Sequence, residues 1–219
     1  MKKGQIITIV KARSRIIPLL LLGVLLVTIG GCTVYTHDVD TEFRGVEQSR
    51  VKRFFIKQRL LTLGDQFVIR DQWKQPIFTV KGKLFTIGDR LKFMDLEGRE
   101  VFYIKEKFFS FSHLYRIFRG ETLYAKMWKR LTFFKNKFII DVPGSNQYIV
   151  QGNFLNYRYN VFHNGERVAV VSKKWPAWTD HYKIEIIPGE DELLILAAVV
   201  VIDMVTQKEE EHHSVAYYD

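Results

Sequence analysis

Histidines, acidic residues and one cysteine are the side chains of this sequence that could do chemistry, and their spacing points to no catalytic site. Four of the six histidines fall on different predicted turns and strands, where they are expected to be surface or structural groups: His37, His113, His163 and His181. The sequence has no G-x-S-x-G, no phosphate-cradling glycine-rich loop and no H-E-x-x-H pattern. We therefore predict that the protein is not an enzyme and needs no cofactor.

The acidic residues predict no metal site. Glu190, Asp191 and Asp203 lack the D-x-[DN]-x-[DN]-G spacing of a calcium loop. The EEEHHS segment at 209–214 combines acids with two histidines, but we interpret it as part of a charged, frayed polar tail at 209–219.

Cys32, the only cysteine, follows a segment typical of export signals. Five basic residues and no acids lie in residues 1–31, and the uncharged run IIPLLLLGVLLVTIGG ends immediately before Cys32. The IGGC junction resembles a bacterial lipoprotein signal, which implies lipidation of Cys32 and cleavage after Gly31. The alternative is an uncleaved single-pass anchor. Both place the N-terminus in the cytoplasm and the following domain on the extracytoplasmic side, because basic residues precede the apolar run.

The net charge of +9 is concentrated in that segment. Without residues 1–31 the chain keeps 28 basic and 24 acidic residues, a balance of +4. We therefore predict a membrane-associated protein and no nucleic-acid partner. Residues 32–50 are polar and turn-prone and are predicted to be a tether.

Short alternating runs separated by turn residues follow from Val51 onward. For example, YRYNVF and RVAVVS flank Asn164-Gly165, a dipeptide suited to a two-residue hairpin turn. Turn glycines recur every 21 to 24 residues, at Gly98, Gly120, Gly144 and Gly165. The period matches one hairpin plus its connection and predicts about twelve strands in an antiparallel meander. A sheet of that length tends to close into a barrel, although the spacing also permits a propeller or a sandwich.

A run of ten apolar residues at 193–202 predicts what fills the barrel. It is too short to span a bilayer, and the acids before it suit a helix N-terminus. A helix that is apolar on every side must be enclosed on every side. We predict a buried helix at 190–207, with a thirteenth strand as the alternative. Asp203 is interpreted as a helix-end residue facing turns or solvent, the alternative being a buried carboxylate in the barrel mouth.

Residues 50–207 resemble the LURP-one-related family, which belongs with the tubby C-terminal domains and the phospholipid scramblases. The resemblance is most specific at 167–204: SKK after a strand, an aspartate before an aromatic-led strand, and an apolar helix ending in IDM. It implies a tubby C-terminal-like fold, a twelve-stranded antiparallel barrel around a hydrophobic C-terminal helix. We assign this domain to 51–208. Members of the family are mostly intracellular, so the export segment departs from the pattern.

Tubby-like domains bind phosphoinositide headgroups, so the resemblance also implies an anionic-lipid surface. The basic residues proposed for it are Lys126, Lys129, Arg130, Lys173 and Lys174. The alternative is that they are solvated residues of the outer face. Trp175 and Trp178 are interpreted as lids over one end of the barrel, or else as membrane-interface aromatics. The expected function is binding of anionic phospholipid or another envelope component, with scramblase-like lipid movement or a purely structural envelope role as alternatives.

Overall fold

The structure is a computed structural model, and it describes residues 43, 50–57, 67–83, 90–107, 114–130, 137–173 and 181–215. The chain divides into two compact units, Met1–Asp40 and Thr41–Asp219, and the described residues all lie in the second. The described residues form twelve strands and one helix. They are β1 Lys52–Lys57, β2 Phe67–Arg70, β3 Pro76–Lys83, β4 Arg90–Met94, β5 Glu100–Glu106, β6 Tyr115–Arg119, β7 Thr122–Arg130, β8 Lys137–Asp141, β9 Tyr148–Asn153, β10 Arg158–His163, β11 Glu166–Lys173, β12 His181–Ile186 and α1 Glu192–Val215.

The strands form a closed antiparallel barrel. Each strand pairs with its neighbours in sequence, and β1 pairs with β12 in a register that sets Lys52 opposite Ile186. The predicted fold is therefore confirmed, and the propeller, the sandwich and the thirteenth strand are excluded. Closure gives every described strand a neighbour on both sides, which limits exposed strand edges, and the narrowest pairing is that of β1 with β2, at Phe55 opposite Arg70.

Alternation along the strands separates the inside of the barrel from the outside. In β6, Tyr115 and Ile117 are buried inside, while Arg116 and Phe118, which alternate with them, face outward. Successive side chains of a strand point to opposite faces, so every strand supplies one apolar row to the core.

Six residues with positive φ mark one end of the barrel, which we call the turn end. They recur at intervals of 21 to 24 residues: Lys74, Gly98, Gly120, Gly144, Gly165 and Gly189. The first five lie in the short turns that follow the even-numbered strands from β2 to β10, and Gly189 lies between β12 and α1. The predicted glycine period is therefore the spacing of successive hairpins, with a lysine at its first position. The opposite end, which includes the turn at 154–157, is called the far end.

Helix α1 enters at the turn end and runs through the barrel. Every residue from 194 to 205 is at most 2% exposed, so the helix is enclosed around its whole circumference. Asp191 caps its start, since its Oδ1 accepts a hydrogen bond from the Leu194 amide at 3.0 Å. The helix continues to Val215, beyond the predicted end at 207 and into the predicted polar tail. Its apolar run ends at Ile202 and its full burial ends at Val205, whereas the helix itself continues. Among the helices of the described residues, none combines the length and the apolar character that crossing a bilayer requires.

Phe43 shows that part of the predicted tether packs on the barrel. It is 6% exposed and lies against Val51, Val170 and Ile187, with the Arg167 guanidinium 5.4 Å above its ring. Val170 is on the outer face of β11. This strand is six positions from β5 in the closed order of twelve strands, so the two lie on opposite sides of the barrel. The export segment at 1–31 and Cys32 lie outside the described residues.

Candidate functional site

A row of basic side chains crosses four adjacent strands on the outer wall of the barrel. The strand register sets Arg90 of β4 opposite Lys105 of β5, Lys105 opposite Arg116 of β6, and Arg116 opposite Lys126 of β7. Directly opposed residues share one face of a sheet. With strands spaced by about 4.8 Å, these four cations, which we call the basic row, form a line about 14 Å long. Asp141 of β8 stands opposite Lys126 and ends it.

Within the described part of the chain no carboxylate forms an ion pair with a member of the basic row, and the one acid that stands directly across from it is Asp141, opposite Lys126. Other cations of the wall are paired, for example Lys92 with Glu100 at 2.8 Å and Arg53 with Glu185 at 3.1 Å. In addition, Arg116 Nε is buried without a hydrogen-bond partner. Like charges directly opposite each other destabilise a sheet. The row therefore costs stability as it stands, and an anion bound along it would offset the repulsion.

Aromatic side chains lie beside the basic row. Tyr103 of β5 stands opposite Phe118 of β6, with ring centroids 6.4 Å apart, and the Arg116 guanidinium lies 5.7 Å from the Phe118 ring. Trp128 follows Lys126 on the outer face of β7. The outer surface of β4–β7, which we call the basic face, thus combines cations with half-buried aromatic rings.

The structure places only some of the residues predicted to form a lipid surface on the outside of the barrel. Lys126 and Arg130 lie on the outer face of β7. Lys129 lies between them and points inward, is 7% exposed, and has its Nζ 2.5 Å from Glu209 of α1. Its prediction as a surface residue was wrong, because alternation along the strand turns it into the barrel.

Lys173 and Lys174 are not brought to the basic face. The backbone of Lys173 lies in β11, which three strands separate from β7 in the barrel order. Lys174, Trp175 and Trp178 lie outside the described residues. The sequence cluster missed Arg90, Lys105 and Arg116, which join Lys126 only through the strand register.

Asp203 occupies the interior near the far end. It is 2% exposed, accepts a hydrogen bond from the Tyr157 hydroxyl at 2.6 Å, and accepts another from Gln207 Nε2 at 3.0 Å. Its interpretation as a helix-end residue facing turns or solvent was wrong, because α1 continues for three more turns. Burial, followed by the negative charge of Asp203, raises the pKa of Tyr159 and of Tyr182 well above the usual value of tyrosine.

A second polar cluster holds the start of α1 at the turn end. The Tyr148 hydroxyl donates to Glu190 Oε2 at 2.9 Å, and His163 Nδ1 lies 3.1 Å from the same oxygen. The Tyr124 hydroxyl donates to Asp191. Burial and these hydrogen bonds to carboxylates raise the pKa of both tyrosines. His163 is therefore one of the structural histidines expected from the sequence. Within the described ranges, no group of three histidine, cysteine or acidic residues is placed to hold a metal ion.

Comparison with known proteins decides the family. The family model described as LURP-one-related matches residues 52–203, from the first strand to the buried part of α1. The chain belongs to the LURP-one-related family. One relative in it is the uncharacterized protein YxjI of Bacillus subtilis (strain 168), 34% identical over 141 residues, which cover 64% of this chain and 85% of YxjI.

The LURP-one-related barrel also resembles a crystal structure of a protein from Arabidopsis thaliana. The TM-score is 0.52 at 19% identity, and the match covers 71% of this chain and 91% of the plant protein. Identity at that level shows a shared fold. The family resemblance seen in the sequence is thus confirmed, and what is particular to this member must be argued from its own side chains.

Proposed function

We propose that this LURP-one-related barrel is a non-catalytic binding module, tethered to a membrane, whose basic face binds anionic phospholipid. The observation that carries the proposal is the basic row, four neighbouring cations that form no ion pair with the described residues. The aromatic rings of Tyr103 and Phe118 beside it suit the headgroup region, where aromatic side chains are enriched.

The expected strength of this surface fits a tethered protein. Each cation close to an anionic leaflet contributes about 1 kcal/mol. Four cations therefore give about 4 kcal/mol, which corresponds to a dissociation constant of about 1 mM. Such a surface binds little lipid when the protein is free, but a short tether supplies a local concentration in the millimolar range.

The predicted lipidation of Cys32 would supply that tether. From Cys32 to Phe43 the chain has eleven residue steps, which span at most about 40 Å when fully extended. Intact-mass measurement of the mature chain tests this part separately, since lipidation and cleavage before Cys32 change the mass in a defined way.

Capture of vesicles in trans tests the basic face. The full chain is held in phosphatidylcholine nanodiscs and mixed with vesicles of phosphatidylcholine, with or without phosphatidylglycerol. Capture should require phosphatidylglycerol and should weaken as salt is raised, because surface charges are screened.

Paired substitutions locate the effect. Lys105→Gln with Lys126→Gln should reduce the capture of phosphatidylglycerol vesicles about tenfold or more. The matched control removes two cations from other parts of the wall, Arg158→Gln in β10 and Lys52→Gln in β1, and should capture vesicles like the wild type. Equal capture of neutral and anionic vesicles at low salt, or equal loss in both variants, would refute the proposal.

A further inference from the structure

Two large apolar side chains project from neighbouring turns at the turn end. Trp73, in the turn between β2 and β3, is 71% exposed, and Leu96, in the turn between β4 and β5, is 59% exposed. The two turns are two strands apart around the rim, so their centres are about 10 Å from each other. Packing within the barrel does not explain why these two large apolar side chains are exposed.

The turn that carries Trp73 is held in one conformation by Asp71. The Asp71 amide donates to the Gln75 carbonyl at 2.9 Å, and the Asp71 carbonyl accepts from the Lys74 amide at 2.9 Å. Asp71 Oδ1 also accepts from the amides of Trp73 and Gln75, and Arg70 donates to the Lys74 carbonyl at 3.0 Å. The turn therefore presents Trp73 on a fixed backbone.

The turn that carries Leu96 repeats this construction. The Asp95 amide donates to the Arg99 carbonyl at 3.0 Å, the Gly98 amide donates to the Asp95 carbonyl at 3.1 Å, and Asp95 Oδ1 accepts from the Arg99 amide at 2.8 Å. Gly98 has the positive φ that Lys74 has in the other turn. Both apolar tips are therefore preformed, so little conformational entropy remains to be lost when they bind.

We infer that Trp73 and Leu96 insert into the headgroup region of a lipid bilayer and form an apolar contact that is independent of the basic row. The inference rests on the proposed membrane function and adds the point of insertion to it. Tryptophan is enriched at the membrane–water interface because its ring is apolar and its indole N–H is polar.

A bilayer fits these tips better than a protein partner does. A stable protein interface buries about 800 Å² on each side, whereas two separate side chains offer a small fraction of that area. By contrast, single apolar side chains can insert into a membrane leaflet, which does not need a surface of complementary shape. The β4–β5 hairpin that ends in Leu96 also carries Arg90 and Lys105, which pair at its other end. The tips and these cations therefore lie on one side of the barrel, about 16 Å apart along the strands.

The position of the chain entry also favours the turn end. Strand β1 begins there, because Lys52 pairs with Ile186 at the end of β12. Phe43 packs beside the same end, against Val51 and Ile187. Phe43 and the start of β1 therefore lie at the turn end, on the side of the barrel formed by β11, β12 and β1.

Quenching by brominated lipid tests the inference on the full chain. The protein is reconstituted into brominated phosphatidylcholine, which carries no net charge, and the fluorescence of Trp73 is obtained as the difference between the wild type and Trp73→Phe. We expect Trp73 to be quenched. A matched tryptophan at the far end, Leu155→Trp in the Trp73→Phe background, replaces a side chain that is 58% exposed. It should be quenched at most half as strongly.

The outcomes separate this inference from the proposed function. If Trp73 is not quenched, or is quenched no more than the tryptophan at 155, the tips do not insert and the inference is overturned, even when capture of anionic vesicles depends on Lys105 and Lys126. If instead Trp73 is quenched while capture ignores the basic row, the insertion stands and the proposed headgroup binding fails.

Discussion

Within the described residues, charged side chains are paired inside the barrel, whereas those of the basic row on its outer wall are not. Inside, the charged side chains near α1 have partners: Asp203 binds Tyr157, Glu190 binds Tyr148, and Lys129 binds Glu209. On the basic face, the four cations of the basic row stand side by side and form no ion pair with the described residues. A buried charge without a partner is too costly to keep, whereas an exposed one is retained cheaply and remains available to a ligand. Substitutions inside should therefore change stability, and substitutions on the basic face should change binding.

The largest effect is expected in the middle of α1. Ala198 is 1% exposed, and Ala198→Asp places an unpaired carboxylate in the packed core. Its cost of several kcal/mol is comparable to the whole stability of a domain, so the variant should not fold, as measured by circular dichroism and limited proteolysis. Gln72→Asp, in an exposed turn, is the control and should fold normally. A folded Ala198→Asp protein would mean that the helix is not enclosed.

A smaller loss is expected when one of the hydrogen-bond donors to Asp203 is removed. Tyr157→Phe deletes the hydroxyl that donates to this buried carboxylate, and a hydrogen bond to a charged group contributes about 1.5–3 kcal/mol. Denaturant unfolding should show a loss in that range. Tyr103→Phe on the basic face should stay within about 0.5 kcal/mol of the wild type. If Tyr157→Phe and Tyr103→Phe lose equal free energy of unfolding, the buried hydroxyl is no more important for stability than the outer one.

Alkaline pH should weaken the interior selectively. Burial raises the pKa of Tyr159 and Tyr182, whereas tyrosine in the unfolded chain titrates near pH 10. Above that pH the unfolded state loses protons that the folded state retains. The contribution of these two tyrosines to stability is therefore constant below about pH 9 and falls as the pH rises. Each such tyrosine contributes up to about 1.4 kcal/mol per pH unit.

Denaturation between pH 8 and pH 11 measures this dependence. Tyr159→Phe should reduce the slope above pH 10. If Tyr159→Phe keeps the full slope, the buried tyrosines are not the cause of the alkaline loss.

The smallest effect on stability is expected on the basic face. Lys105→Gln with Lys126→Gln relieves repulsion between neighbouring like charges. The free energy of unfolding should therefore stay the same or rise by a few tenths of a kcal/mol, while capture of anionic vesicles falls. A loss of more than 1 kcal/mol in thermal or denaturant unfolding would mean that these lysines serve the fold.

The repeated and apolar features of the fold were predictable from the sequence. Glycines at hairpin spacing predicted the strands, and the apolar run at 193–202 predicted the enclosed helix. The end of α1 was missed because an apolar run reports burial, and the helix continues after full burial ends. Asp203 was misplaced because its partner, Tyr157, lies 46 residues earlier in a turn.

The candidate site was harder to predict because it depends on register. The members of the basic row lie 10 to 15 residues apart in the sequence and become neighbours only across strands. Counting outward from the 95–99 turn pairs Arg90 with Ile104, and only the one-residue register shift between Phe93 and Met94 brings Arg90 opposite Lys105. By contrast, Lys129 lies close to Lys126 in the sequence, but its strand turns it to the other face.

The order of the elements also governs how this protein is made. The barrel closes only when β12 reaches β1, and α1 leaves the ribosome after every strand. Until α1 emerges from the ribosome, the apolar inner side chains of the strands have no helix to pack against. Folding of this domain is therefore completed only after translation reaches its carboxyl end, and a stop codon a few dozen residues early removes the core rather than a tail.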